Sequence, residues 1–416
     1  MSEAVRAITA CRLCGSRHLQ PYVDFGNVPL GNNLQETQEA ALAAASYPLD
    51  VSRCGACGHL QLGHAVAPEL LYATNYTYLS GIGSSFVKHF AEYAQWATEQ
   101  TGVGAGSLVV DVGSNDGTCL KAFQTRGARV CGVDPASLAA GIANENGVET
   151  INAFFDADTA AEIIRRHGQA DFVTSHNVLA HVDDLAEVFR NIHGLLKDGG
   201  YFAFEIGYFR EVLRTGCFDT IYHEHLDYHH AAPLARHLTA LGFDLVDLSV
   251  NSVQGGSLRL LLRKTGKGDI LAQAAAFLAE EKQSVLCDDA FLAGWKARIE
   301  SQMGEFHRIL REHADKGATI IAYGAPTKAT LLMKMAGLGG DEVAFVVEDN
   351  IHKAGRFLPG TGVAIKPSSA LDDAAPDVIV IFAWNFANDI MGKLRGKFDR
   401  PVEIVVPLPE LRTMPL

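Results

Sequence analysis

Four of the eight cysteines stand as two pairs, Cys11-x-x-Cys14 and Cys54-x-x-Cys57, while Cys119, Cys131, Cys217 and Cys287 share no such spacing. A Cys-x-x-Cys turn points two thiolates at one ion, and two such turns supply the four-sulfur tetrahedral shell that Zn²⁺ favours. Thirty-nine residues separate the pairs, more than the roughly 15–20 of common zinc ribbons, so a pair of redox thiols is the alternative, and His59 is a substitute for one sulfur. With Cys11, Cys14, Cys54 and Cys57 all bound, the ion keeps no open position. Its expected role is therefore structural, holding a small lobe with little core of its own.

A second cluster is Tyr222-His223-Glu224-His225. Four polar or titratable side chains in a row make a poor core strand, because burying them unpaired costs several kcal/mol. Histidine suits proton transfer near neutrality, and a neighbouring Glu can orient it. His229 and His230 follow, so metal binding and a plain exposed loop both compete with catalysis. Upstream, Tyr72 and the run Asn75-Tyr76-Thr77-Tyr78-Leu79-Ser80-Gly81 read either as a second site segment or as an apolar hinge.

The elements around these residues are α/β. Residues 107–113 read as a buried strand, 114–117 as a turn and 120–123 as helix. A strand over 128–133 then ends at Asp134. The loop Asp111-x-Gly113-x-x-x-Gly117 permits close backbone approach to a ligand at a helix start. An acid ending the second strand of such a unit binds ribose hydroxyls. This spacing departs from the dinucleotide pattern Gly-x-Gly-x-x-Gly and resembles motif I of S-adenosylmethionine-dependent methyltransferases. A strand over 171–176, a helix over 185–196, a turn at 198–200 and a strand over 201–205 continue the pattern. A dehydrogenase and an unused Rossmann-like scaffold are the competing readings.

Farther on, 264–268 reads as a linker and 271–316 as one or two helices, rich in Ala, Leu, Glu, Lys and Arg. Strands over 318–323, 344–347 and 377–382 alternate with helix and form a second Rossmann-like unit. The length is ample for two to three domains. The net charge of −13 argues against general nucleic-acid binding. The longest strongly apolar run, 378–384, falls far short of the roughly 20 residues of a membrane span. No secretory signal core is apparent, so a cytoplasmic protein is expected.

Taken in order, these marks resemble the nucleotide-sugar C-methyltransferases of deoxysugar biosynthesis. To those above they add His176-Asn177-Val178-Leu179-Ala180-His181, Gly255-Gly256-Ser257-Leu258-Arg259, Tyr323-Gly324-Ala325-Pro326-Thr327-Lys328, His352-Lys353-x-Gly355-Arg356-Phe357-Leu358-Pro359-Gly360 and Ala383-Trp384-Asn385-Phe386. The resemblance implies a zinc-binding domain over 1–75, a class I methyltransferase domain over 76–265, and a Rossmann-like domain over 266–416 that helps hold a nucleotide-sugar. It implies methylation at C3 of a nucleotide-linked 4-keto-deoxysugar, the carrier being thymidine diphosphate. His225 is the implied base, with Glu224 orienting it or binding a sugar hydroxyl and Tyr222 and Tyr76 positioning the sugar; His181 is a second candidate acid or base that the sequence does not rank below His225, and His223 a third. Asp111, Gly113, Asn115, Gly117, Asp134 and Asn177 are expected to hold S-adenosylmethionine. Tyr78, Ser80, Arg259, Gly324, Lys328, Arg356 and Asn385 are expected on the substrate. Rival functions are a zinc-containing nucleic-acid methyltransferase, a nicotinamide oxidoreductase and a non-catalytic scaffold.

Overall fold

The computed structural model describes residues 4–72, 79–82 and 84–416. Tyr76 and Tyr78 lie outside the described residues.

The N-terminal lobe is built on a four-stranded antiparallel sheet of Leu19–Pro29, Ser46–Cys54, Leu60–Leu62 and, at its edge, Asp227–Tyr228. Leu49 and Val51 alternate inward along the second strand and meet Val23 and Phe25 of the first. The fourth strand comes from the middle of the chain, immediately after Tyr222-His223-Glu224-His225. A separate two-stranded pairing joins Val5–Ala7 to His64–Val66.

The central unit is a seven-stranded sheet in the order Phe243–Asn251, Ser257–Lys264, Leu196–Gly207, Ala170–His176, Leu108–Val112, Arg129–Val133, Thr150–Ile151. Strand Ser257–Lys264 is antiparallel to both of its neighbours, and the other four pairings are parallel. Leu108–Val112 is buried at every position, as expected of a parallel strand with helices on both faces. Helix Leu185–Leu195 buries Leu185, Val188, Phe189, Ile192 and Leu195 on one face, and Asp184 caps it by accepting from the Glu187 amide. Strand Leu196–Gly207 runs through the turn expected at 198–200 and absorbs it as a register shift before Tyr201.

The C-terminal unit is a six-stranded sheet in the order Ile365–Pro367, Phe345–Glu348, Ile320–Tyr323, Val378–Ile381, Glu403–Val406, Arg412–Pro415. The long helix Asp289–Asp315 and the helix Thr327–Ala336 pack beside it. Residues just past the expected boundary at 265/266 pack on the central unit. Leu271 donates to Leu245, and helix Ala272–Glu281 packs on strand Phe243–Asn251. Residues 270–281 therefore belong physically to the central sheet.

Candidate active site and metal centre

The metal centre follows from the first sheet. Strand Ser46–Cys54 delivers Cys54, the following turn delivers Cys57, and the loop after Val5–Ala7 delivers Cys11 and Cys14. The Cys11 and Cys57 sulfurs stand 3.6 Å apart and those of Cys14 and Cys54 3.7 Å apart. All four lie within 4.8 Å of one another. A tetrahedron with Zn–S bonds of about 2.3 Å has edges of about 3.8 Å, so the four sulfurs fit zinc. His59 does not replace a sulfur. Its Nε2 pairs with buried Asp227, 2.8 Å away, which also receives Arg12 at 3.1 Å.

The cofactor loop sits where strand Leu108–Val112 meets helix Thr118–Gln124. Gly113 has φ +77°, and a Cβ there would stand 2.2 Å from a methyl of Val178. Only glycine allows both this backbone and this approach. Asp134 accepts from the Asn115 and Ala136 amides, each at 2.8 Å. Asn115 and Asn177 are the two non-glycine residues with positive φ among the described residues. Such strain gathers at functional sites, where surrounding structure holds it in place. Asp111 is 2% exposed and its Oδ1 has no hydrogen-bond partner among the described residues. Burial pushes its carboxyl up to about 7, which suits a group awaiting a cationic ligand.

One short loop joins this site to the second cluster. From the end of strand Ala170–His176 it runs through Asn177 and Val178, against Gly113, to His181. The His181 ring lies 4.8 Å from that of His225, edge to face. His181 donates from Nδ1 to the Glu224 carbonyl at 2.8 Å. His225 donates from Nδ1 to the Thr220 carbonyl at 2.8 Å, so its Nε2 is the lone pair that accepts from the Tyr222 hydroxyl at 2.9 Å. Burial pushes His181 down to about 4 and His225 well below the ordinary imidazole range, with His181 and Lys328 adding to the latter. Both rings are neutral at pH 7, which leaves His225 able to take a proton through Tyr222.

Asn32, Thr327, Asp219 and Trp384, to which the sequence reading gave no role, complete the cluster around Glu224 and Lys328. Glu224 is 6% exposed, and burial pushes it up to about 7. Its Oε1 accepts from Asn32 of the zinc lobe at 2.7 Å. Asn32 accepts in turn from the Thr327 hydroxyl at 2.6 Å. Buried Asp219 accepts from the Trp384 indole at 2.6 Å and faces Lys328 at 3.9 Å. All three parts of the chain thus meet around Tyr222-His223-Glu224-His225. A polar doublet in the turn after a strand, Asn32-Asn33, was the available hint.

Other expected substrate contacts are placed as follows. Gly324, φ +89°, packs so closely that a Cβ would stand 2.6 Å from the Ala383 methyl. Asn385 is exposed in the turn after strand Val378–Ile381, and Arg356 precedes Phe357, which exchanges backbone hydrogen bonds with Gln35. Arg259 and Ser80 are placed elsewhere. Arg259 lies in strand Ser257–Lys264, pairs with buried Glu205 at 2.6 Å and covers the Trp96 ring at 4.4 Å, so its guanidinium is committed to the sheet. Ser80 sits on the cofactor loop instead, its amide donating to Asn115 Oδ1 at 2.9 Å.

A zinc-binding fold and a strand–loop–helix–acid site for a nucleoside cofactor define a zinc-containing methyltransferase. Comparisons with known proteins agree. Residues 11–72 match a family described as a zinc binding domain, 89–248 a methyltransferase domain, and 252–409 a C-methyltransferase C-terminal domain. C-methyltransferase NovU of Streptomyces niveus is 33% identical over 415 residues, covering 100% of this chain and 99% of its own. A ubiquinone biosynthesis O-methyltransferase of Pseudomonas paraeruginosa is 38% identical over 109 residues, covering 25% of this chain and 46% of its own. The chain belongs to the family of C-methyltransferase NovU and is an S-adenosylmethionine-dependent C-methyltransferase.

Proposed function

We propose that the chain methylates C3 of a nucleotide-linked 4-keto-deoxysugar, carried on thymidine diphosphate, in deoxysugar biosynthesis. The observation that carries this reading is the loop from Asn177 to His181. It places a neutral Tyr–His pair one short segment from the cofactor loop. Carbon alkylation needs a carbon nucleophile, and a sugar ring supplies one only where a neighbouring ketone acidifies a C–H bond. When bound, S-adenosylmethionine supplies an electrophilic methyl group. Asp111, Gly113, Asn115, Gly117, Asp134 and Asn177 are the residues that hold it in this reading.

The proton at C3 leaves to the Tyr222–His225 pair, and its electron pair becomes the enolate. Bound S-adenosylmethionine would supply the methyl carbon to this enolate and keep the S–C bonding electrons on sulfur, while the Tyr222–His225 pair holds the proton and later releases it to water. Donors aimed where the enolate charge develops are a large catalytic term. Glu224 in its protonated form is the donor placed to serve there, while His181 spends its one N–H on the Glu224 carbonyl. Lys328 and the amides at the start of helix Thr327–Ala336 face the same junction and suit a diphosphate. The support for a sugar acceptor is the ordered set of motifs; support for proton abstraction is the geometry of the pair.

The test is turnover with S-adenosylmethionine and a panel of nucleotide-linked 4-keto-6-deoxysugars in deuterated water, followed by mass spectrometry and NMR. The expected result is a methyl gain at C3. Solvent deuterium at C3 without methylation would keep the base and reject the sugar. Neither signal, with cofactor bound, would overturn the reading.

A further inference from the structure

The zinc lobe does more than stand beside the catalytic cluster. Its strand Leu19–Pro29 ends in a tight turn, closed by the Asn33 amide on the Leu30 carbonyl at 3.0 Å. That turn pushes Gly31 against the start of helix Thr327–Ala336, so closely that a Cβ on Gly31 would lie 2.2 Å from the Thr327 carbonyl oxygen. Asn32, next in line, is exposed at the rim of the junction and spends both ends of its amide there. Nδ2 donates to Glu224 at 2.7 Å and Oδ1 accepts from Thr327 at 2.6 Å. Glu224 Oε2 takes no hydrogen bond from the described residues, so the amide decides which carboxyl oxygen stays open to a ligand. We propose that Asn32 is a positioning residue for Glu224, locked by Thr327, and that through it the zinc lobe becomes part of the catalytic apparatus. The inference rests on the reading of Glu224 as a group of the reacting site.

The charged and titratable groups around Glu224 set the sign of the expected effect. Burial disfavours its carboxylate, while the Asn32 donor and the Lys353 charge favour it. Lys353 itself donates to the Ala325 carbonyl at 2.9 Å and is shared with Glu348. His223 and His225 flank Glu224 in sequence, and His181 binds its carbonyl; burial holds all three low, so they are neutral near pH 7. Removing the Asn32 amide therefore shifts Glu224 toward its protonated form.

The experiment titrates ¹³C-glutamate-labelled, zinc-loaded full-length enzyme by infrared difference spectroscopy, with the Glu224 band assigned by its loss in Glu224→Gln. Asn32→Ala should raise the midpoint by about one pH unit, the size expected of one lost hydrogen bond to a carboxylate. Thr327→Val should move it the same way by less, and Thr327→Ser should restore it. In turnover, the basic limb of kcat should move up in parallel while KM for S-adenosylmethionine stays unchanged. An unmoved Glu224 midpoint in both Asn32→Ala and Thr327→Val overturns the proposal. If Asn32→Ala does not fold, the Thr327 pair decides alone. A moved midpoint in a protein that turns over no sugar would support the positioning and reject the substrate reading.

Discussion

Gly113→Ala probes the cofactor loop at its tightest point. The new methyl would sit 2.2 Å from Val178 Cγ2, where ordinary contact needs at least about 3.4 Å, so loop and side chain must part by roughly 1.2 Å. Overpacking of this kind costs about 1–3 kcal/mol. The backbone at φ +77° adds about 1–2 kcal/mol for a side chain in the left-handed region. Even if half of the larger sum relaxes away, about 2.5 kcal/mol remains, or roughly 70-fold in S-adenosylmethionine affinity. Isothermal titration calorimetry reads this directly. The companion variant is Gly113→Ala with Val178→Ala, which removes the clash but not the backbone strain. It should recover the overpacking share and leave about 5–30-fold weakening, giving a coupling energy of about 1–3 kcal/mol between two residues in contact. Gly141→Ala, where an added Cβ meets nothing within 4 Å in helix Ser137–Glu145, is the control and should bind as wild type. Wild-type affinity in Gly113→Ala would refute the reasoning, and so would a double variant no better than the single one.

His225→Asn should lower kcat by two to three orders of magnitude, on the order of one general base, with S-adenosylmethionine affinity nearly intact; an unchanged rate removes His225 from the reaction. Tyr222→Phe breaks the one hydrogen bond to His225 Nε2 and should slow solvent exchange at the substrate C–H as strongly as methyl transfer, which NMR in deuterated water separates. Cys54→Ser should lower folded yield and zinc content together, and normal yield without metal would contradict a structural ion. Asp111, raised to about 7, must ionise to meet a cationic ligand, so S-adenosylmethionine affinity should rise toward a plateau above pH 7, with proton release on binding below it; calorimetry in two buffers measures that proton. His181, lowered to about 4, and His229, lowered to about 3, bind protons better when unfolded. Their contribution to stability is full above about 6.5 and is lost as pH falls toward 4, by up to about 1.4 kcal/mol per pH unit for each ring, so urea midpoints should fall over that window.

Much of this site was legible because its grammar is local. Cys-x-x-Cys spacing survives any long-range arrangement, and the strand, Gly113 loop, helix and Asp134 follow one another within about 25 residues. The order of strands in both sheets was inferable only as a class, since short strands such as Glu403–Val406 carry little pattern of their own. What stayed hidden depended on approach between distant segments. Asn32 matters because Gly31 lets its turn reach Thr327, and nothing near Asn32 in sequence announces Glu224. Arg259, which the resemblance put on the substrate, meets Glu205 across the strand pair in the structure. Burial would raise Glu205, but hydrogen bonds from His176 and His89, with the charges of His176 and Arg259, hold it low. Such a network is visible only once the strands are in register.

The edge strand Asp227–Tyr228 has a consequence for how such a gene can change. It is encoded far downstream of the lobe whose sheet it completes, and Arg12, His59 and Asp227 lock that pairing in a buried ion cluster. A crossover that exchanged the first 72 codons between two relatives would bring an unfamiliar strand edge to Leu60–Leu62 and an unfamiliar partner to Asp227. Acceptor preference in these enzymes should therefore recombine poorly at that junction. Change should accumulate instead by point substitution, or by exchange of the whole span up to Tyr228.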